Sequence, residues 1–270
     1  MATDGTASNA VGLDEEQGRR EAWQQLPRRL FATFLTLDAL FVLLYLVAAA
    51  LQFSHSRYFV LVNLDAEANP PSWYSGAQLL FIAIGYWVLA SRLIPERPKV
   101  ATLRPLWTVM GVGFVLLSMD EVGSVHERIG SLLYKLKVFN HLGFGDQWMW
   151  LYVLIAVALV LIFRKQLVLA WVEWRPQVLM FVLGIAVLVF GAFVMEAIHL
   201  RFAHHFYGGR LFAQIALEEG CEMLGATILL LPVFRILSWV MTSGGDSADA
   251  GSAETGVVAQ ETPASQAATG

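Results

Sequence analysis

The residues VLMFVLGIAVLVFGAFVM, numbered 178–195, decide the fold class of this chain. They carry no charge, and an apolar helix of about 20 residues spans a hydrocarbon core of roughly 30 Å. Glu196 and His199 follow directly, so two ionisable side chains end the apolar segment. The stretch predicts a transmembrane helix with candidate functional side chains at one of its ends.

Similar apolar runs recur along the chain, and the composition agrees with them. Hydrophobic residues make up 57% of the chain, charged residues 15%, and the mean hydropathy is +0.57. Soluble domains carry about 25% charged residues. We therefore predict an all-α, polytopic membrane helix bundle of about six transmembrane helices. The predicted spans are residues 30–53, 77–93, 106–122, 148–163, 177–200 and 211–241.

The distribution of Lys and Arg residues predicts the orientation of the bundle, because positively charged loops stay in the cytoplasm. With the N-terminus inside, twelve of the 18 basic residues fall in cytoplasmic segments and six outside. Both termini are then cytoplasmic. Aromatic belts are expected at the outer boundary, formed by Trp73, Tyr74, Trp148, Trp150 and Tyr152, and at the inner boundary, formed by Trp107, Trp171, Trp174 and Trp239.

The chain divides into three predicted parts: a polar cytoplasmic segment (1–28), the transmembrane domain (29–242) and a disordered cytoplasmic tail (243–270). Residues 1–28 contain no apolar stretch of signal-peptide type, so the first span is expected to act as the targeting signal. A multi-pass protein of a bacterial cytoplasmic membrane is expected. Cys221, the single cysteine, excludes an internal disulfide, and no basic patch suits nucleic acid.

Ionisable side chains gather at the ends of three predicted spans, and the topology places all of them near the outer membrane face. Such residues cost a few kcal/mol in a bilayer and are functional candidates by default. The third span contributes Asp120, Glu121, His126 and Glu127, the fifth Glu196 and His199, and the sixth Glu218, Glu219 and Glu222.

Helical angles show which of these side chains can share a face. At about 100° per residue, the carboxylates of the sixth span lie within one arc, and Glu196 and His199 lie about 60° apart. The group on the third span cannot all face inward unless the helix breaks, for which Gly123 is the candidate. Two long, aromatic outer segments, 54–76 and 124–147, are expected to cover the cluster.

Carboxylates with imidazoles are ligands suited to iron, manganese or zinc. The predicted metal ligands are Glu196, His199, Glu218, Glu219, Glu222 and His126, and the predicted catalytic residues are Asp120, Glu121 and Glu127. Asp38, inside the first span, is either a proton relay or a protonated carboxyl hydrogen-bonded to a neighbouring helix.

Two resemblances follow from these motifs. The helical Glu-x-x-His pair at 196–199 resembles the metal sites of carboxylate-bridged di-metal helical bundles, which carry two such pairs where this chain has one. The elements Ser-x-Asp-Glu-x4-His-Glu (118–127) and Glu-Glu-x2-Glu-Met (218–223) resemble those of an uncharacterised family of bacterial multi-pass membrane proteins. The second resemblance covers roughly residues 118–223 and implies a multi-pass membrane protein without an assigned activity.

The sequence leaves several functions open. The favoured one is a metal-dependent enzyme acting on a lipid or quinone-like substrate, with membrane lipids as partners. The alternatives are an ion- or proton-coupled transporter and a cation-responsive sensor or assembly subunit. In the plainest alternative, the acidic residues are solvated at the membrane surface and paired with Arg128, Arg201 and Arg210. The oligomeric state is left open.

Overall fold

The computed structural model describes residues 4–92, 98–138, 147–202 and 209–257, and every regular element in these ranges is helical. Short 3-10 turns occupy Phe53–His55 and Phe59–Leu61, and a π-helical turn, Phe190–Met195, joins α7 to α8. The all-α prediction is confirmed. The α-helices are α1 (Asp4–Ala50), α2 (Pro70–Arg92), α3 (Pro98–Ala101), α4 (Arg104–Gly123), α5 (Val125–Lys135), α6 (Gln147–Ile162), α7 (Arg164–Val189), α8 (Glu196–Phe202) and α9 (Gly209–Val257).

Five helical segments of the described chain are long and apolar enough to cross a membrane: Glu16–Ala50, Pro70–Arg92, Arg104–Gly123, Arg164–His199 and Gly209–Thr242. They coincide with five of the six predicted spans. The remaining span, 148–163, corresponds to α6, an apolar helix of 16 residues. At 1.5 Å per residue α6 is about 24 Å long, which is shorter than the roughly 30 Å of a hydrocarbon core. The chain is therefore an integral membrane protein with five helices of spanning length.

Helix α9 forms the centre of the bundle. It packs against α1, α2 and α7, while α4 packs against α2 and α6 lies against α5. Its side chains Leu229, Leu230 and Val233 are almost completely buried. This central position matters for function because α9 carries three of the candidate carboxylates.

Small residues allow α7 and α9 to approach each other closely, as membrane helices commonly do. A Cβ atom added at Gly184 would lie 2.7 Å from Leu229, and one added at Gly191 would lie 2.7 Å from the carbonyl oxygen of Glu218. A larger residue at either position would therefore push the two helices apart. The second contact also brings the π-helical turn against the acidic part of α9.

The segment before the fifth predicted span is helical rather than a loop. Helix α7 begins at Arg164 and bends at Trp174 (φ −137°, ψ 48°), two residues before Pro176. Proline removes a helical hydrogen bond and clashes with the preceding turn, which accounts for the bend. Trp107 and Trp174, expected in an inner aromatic belt, are instead buried in the bundle, with their ring centroids 6.2 Å apart.

The predicted boundary after residue 28 lies inside α1, which continues across it. Helix α9 continues past residue 242 to Val257, and residues 258–270 lie outside the described residues. The cytoplasmic placement of both termini and the disorder of the tail remain predictions.

Candidate functional site

The helix break expected near Gly123 is present one residue later. Helix α4 ends at Gly123, Ser124 adopts a left-handed conformation (φ 48°, ψ 42°), and α5 begins at Val125. A residue other than glycine rarely occupies this region, and such residues often mark functional sites. The break turns α5 so that His126 and Glu127 lie over the end of the bundle.

Asp120 holds the start of α5 in place. Its Oδ1 accepts a hydrogen bond from the backbone N–H of His126 and lies 3.1 Å from Nδ1 of the same residue. Its Oδ2 accepts a hydrogen bond of 2.8 Å from the hydroxyl of Tyr152. Both oxygens of Asp120 thus have hydrogen-bond partners, and the carboxylate orients His126. Because a carboxylate can only accept, Nδ1 of His126 is the donor in this contact, and Nε2 is the acceptor nitrogen when the ring is neutral.

Two adjoining cavities receive the ionisable side chains of the predicted cluster. The first, which we call the acidic cavity, has a volume of about 200 Å³, and the second, the mixed cavity, about 100 Å³. The mixed cavity has apolar walls from α2, α4, α7 and α9. Both cavities are lined by Glu121, His126, Glu196 and Glu222. The acidic cavity is also lined by Glu127, His199, Glu218 and Glu219, and the mixed cavity by Asp120. All nine predicted cluster residues therefore line this pair of cavities.

Two further carboxylates, Asp65 and Glu67, reach the acidic cavity from the connection between α1 and α2. Asn69 fixes this connection, because its side-chain nitrogen donates hydrogen bonds to the carbonyl oxygens of Val60 (3.1 Å) and Asn63 (2.6 Å). The segment 54–76, which the sequence predicts to be a cover, therefore also contributes site residues. An Asp-x-Glu pair in a covering segment was the available signal.

Glu67, His126 and Glu127 form the most compact group of potential metal ligands. One ligand atom from each lies within 4.8 Å of the other two, and the described residues contain no second such group. The Oε2 atom of Glu67 is buried without a hydrogen-bond partner. We call these residues the metal triad. It includes only one of the six predicted ligands, His126.

The other predicted ligands line the same cavity but are arranged differently. Nδ1 of His199 lies 2.7 Å from Oε1 of Gln214, and Nε2 of Gln214 donates a 2.9 Å hydrogen bond to Glu218. Gln214 is buried and was missed by the sequence analysis, although it lies one helical turn before Glu218. This chain of contacts links α8 to α9.

Among the described residues, the carboxylates that line the two cavities have no arginine or lysine beside them in the lining. Glu222 interacts electrostatically with Glu121, Glu218 and Glu196. The arginines proposed as neutralising partners, Arg128, Arg201 and Arg210, are exposed, and none lines either cavity. This arrangement disfavours the plain alternative of acidic residues neutralised by arginine, and it leaves a bound cation as a source of positive charge.

Charge crowding also affects the metal triad. Burial raises the pKa of Glu67 above its usual value, although a hydrogen bond from Ser124 and the nearby His126 oppose the shift. For His126, burial favours the neutral ring, but Asp120, Glu196 and Glu67 outweigh this effect and raise its pKa. Without a metal, His126 therefore keeps its proton to a higher pH than a free histidine does.

Asp38 lies apart from the cluster in a buried hydrogen-bond network. It accepts hydrogen bonds from Tyr74 (2.6 Å), Gln78 (2.9 Å) and Thr227 (2.7 Å), and thereby joins α1 to α2 and α9. Gln78 also lines the mixed cavity, and its Oε1 is buried without a partner. The network matches the structural interpretation of Asp38, while its role as a proton relay remains a prediction.

Comparison with known proteins identifies a family without identifying an activity. The family model described as Domain of unknown function (DUF8692) matches residues 30–237, which is more than half of the chain, so this protein belongs to that family. No curated protein and no solved structure matches it. The match spans both sequence motifs, and bacterial origin remains a prediction. Function must therefore be argued from the site itself.

Proposed function

We propose that this protein is a membrane-embedded, metal-dependent enzyme that acts on a lipid-soluble substrate. The observation that carries the proposal is the metal triad of Glu67, His126 and Glu127, which lines the acidic cavity and reaches the mixed cavity through His126. Carboxylate oxygens and an imidazole nitrogen suit iron, manganese or zinc. The remaining carboxylates of the acidic cavity would complete the coordination or hold a second ion.

The surroundings of His126 support its role as a ligand. Metal-binding histidines almost always donate their second ring N–H to a carboxylate or carbonyl, which fixes the ring and increases its basicity. Asp120 provides such a carboxylate at 3.1 Å. We therefore assign Asp120 a positioning role and Glu127 a ligand role, in place of the catalytic roles that the sequence suggested.

The third residue expected to be catalytic, Glu121, has the best position for proton transfer. It lines both cavities, so it faces the metal triad on one side and the mixed cavity on the other. Ser75 of α2 lines the mixed cavity together with it. A bound metal would polarise a substrate carbonyl or activate water or oxygen. Glu121 would then accept or return the proton at the boundary between the cavities.

The mixed cavity indicates the substrate class. Its walls include Leu79, Leu117, Leu188 and Phe193, which suit an apolar chain, and its acidic side faces the metal triad. Its volume of about 100 Å³ is smaller than the roughly 150 Å³ of an engineered cavity that binds benzene. Of the two substrate classes expected from the sequence, a lipid with a narrow polar end fits better than a quinone ring.

Elemental analysis tests the proposal directly. Protein purified in detergent without chelator is expected to contain close to one equivalent or more of iron, manganese or zinc per chain. The metal should be removed by a chelator and rebind to the stripped protein. Folded, monodisperse protein that neither retains nor rebinds any of the three metals would overturn the proposal.

The raised pKa of His126 predicts how metal affinity depends on pH. Metal binding requires the neutral ring, and a raised pKa keeps the proton bound to a higher pH than in a free histidine. Affinity for Mn²⁺ or Zn²⁺ should therefore increase by up to about tenfold per pH unit up to that pKa, and level off above it. Isothermal titration calorimetry at pH 6, 7 and 8 measures this, and an affinity that falls with increasing pH would contradict it.

A further inference from the structure

Helix α5 carries an apolar stripe that the described part of the protein leaves uncovered. Val125, Leu132 and Leu136 are 39%, 55% and 62% exposed. At about 100° per residue, these three side chains lie within an arc of about 40° on the helix. The buried residue of α5, Gly130, lies about 140° from Val125. The apolar stripe therefore faces away from the contact that holds α5 to the rest of the protein.

Basic side chains follow the apolar stripe along one flank. Arg128 and Lys135 are exposed and lie about 20° apart on the helix, next to Leu132. Lys137, which is also exposed, comes directly after the end of the helix. The ion pairs among the described residues involve none of these three side chains. We call the three residues the basic flank, and its charges are available to a partner outside the chain.

The depth of α5 follows from the helix before it. Helix α4 has 20 residues and the composition of a membrane span, and its length of about 30 Å equals the thickness of a hydrocarbon core. It ends at Gly123, and the break at Ser124 redirects the chain. Helix α5 therefore begins at the boundary between acyl chains and headgroups.

Trp148, in the first turn of α6, keeps α5 at this boundary. Its ring centroid lies 4.8 Å from that of His126, and a Cβ atom added at Gly130 would lie 3.2 Å from its Cδ1. His126 and Gly130 are about one helical turn apart, so α5 crosses the start of α6 instead of extending away from it. At this depth, a side chain that faces away from the protein meets lipid.

We propose that α5 is an interfacial helix that binds anionic phospholipid. The apolar stripe enters the acyl chains, and the basic flank contacts the phosphate groups beside it. Helices with Lys and Arg next to an apolar face bind anionic membrane surfaces in this way. The charges favour lipid over a second copy of this chain, because pairing two apolar stripes would bring two basic flanks together. This inference concerns a surface outside the metal triad and does not depend on the proposed function.

Short-range quenching by brominated acyl chains tests the insertion of the apolar stripe. A fluorescent label on Leu132→Cys, in a Cys221→Ser background that removes the single cysteine, should be quenched in nanodiscs of brominated phosphatidylcholine. A label on Tyr134→Cys should lose most of this quenching, because Tyr134 is 64% exposed and lies about 160° from Leu132. Equal quenching at the two positions would overturn the placement of α5. A label at position 132 that is protected from lipid would assign the stripe to a second copy of the chain and overturn the inference.

Nanodiscs of equal parts phosphatidylglycerol and phosphatidylcholine test the recognition of headgroups. With bromine on one lipid at a time, the ratio of quenching shows which lipid adjoins the label on Leu132→Cys. We expect phosphatidylglycerol to be preferred by at least about fivefold, the contribution of one basic residue near an anionic surface. Arg128→Gln with Lys135→Gln should abolish the preference.

The matched control for the basic flank is Arg164→Gln with Lys165→Gln. It removes the same two residue types at exposed positions at the start of α7, which the length of α6 separates from Trp148. This variant should keep the preference for phosphatidylglycerol at the label. Equal quenching by the two lipids in the otherwise unchanged protein would overturn the inference, and so would a preference that survives Arg128→Gln with Lys135→Gln.

Discussion

Simultaneous replacement of Glu67 and His126 by alanine is expected to lower metal affinity by more than about 100-fold, because it removes two of the three residues of the metal triad. Glu127, the remaining residue, is exposed and would hold a cation only weakly. Metal content after gel filtration and competition with a chromophoric chelator measure the loss. Asp120→Asn should give an intermediate loss of about 10- to 100-fold, since it disturbs only the orientation of His126.

The controls for this experiment must separate ligand loss from unfolding and from a general change in charge. The double variant His55→Ala, Glu173→Ala removes the same two residue types at exposed positions outside the described cavities. It should bind metal like the wild type. A second double variant, Glu196→Ala with His199→Ala, tests the ligands suggested by the sequence. If this variant loses the metal while Glu67→Ala, His126→Ala retains it, the triad is the wrong assignment.

The comparison between Glu196 and Glu67 shows how far the sequence predicts this site. Glu196 was identified because it directly follows an apolar helix, and helix length together with loop charge placed it at the same depth as residues of α4 and α9. The structure brings these groups to one pair of cavities. Depth and helical phase follow from local periodicity, which is present in the sequence.

Glu67 could not be placed by the same reasoning. Its position depends on an irregular connection with two 3-10 turns, on the hydrogen bonds of Asn69, and on a left-handed residue at Ala68. No periodicity describes such a path. The break at Ser124 was only partly predictable, because glycine at position 123 indicated a weak point but not the direction in which α5 would turn.

The tryptophans illustrate a second limit of sequence reasoning. Trp148 was expected in an outer aromatic belt, yet it is 4% exposed and lines the mixed cavity beside His126. The prediction of an aromatic belt specifies only the depth of a side chain in the membrane. Whether that side chain is buried depends on which neighbouring helix covers it. In the structure, Phe193 of the π-helical turn packs edge-on against Trp148, with ring centroids 5.2 Å apart. Such tertiary contacts decide whether a side chain at a given depth faces lipid or packs inside the protein.

Gly225→Ala is expected to lower the thermal stability of the protein, although alanine normally favours a helix over glycine by about 1 kcal/mol. A Cβ at this position would lie 2.6 Å from the backbone nitrogen of Leu188 and 2.7 Å from its Cα. Backbone atoms of a packed helix cannot rotate away as a side chain can. Helices α7 and α9 would have to separate, at a cost of about 1–3 kcal/mol for overpacking.

The matched control for this prediction is Gly113→Ala in α4. An added Cβ at Gly113 meets no atom within 4 Å, so only the helix preference remains and the protein should be as stable as the wild type or slightly more so. The two substitutions are chemically identical and are expected to shift the unfolding temperature in detergent in opposite directions. Gly225→Leu should be more damaging than Gly225→Ala. If Gly225→Ala unfolds at or above the wild-type temperature, the close approach of α7 to α9 is wrong, and so is the placement of Glu222, one turn before Gly225, against the π-helical turn.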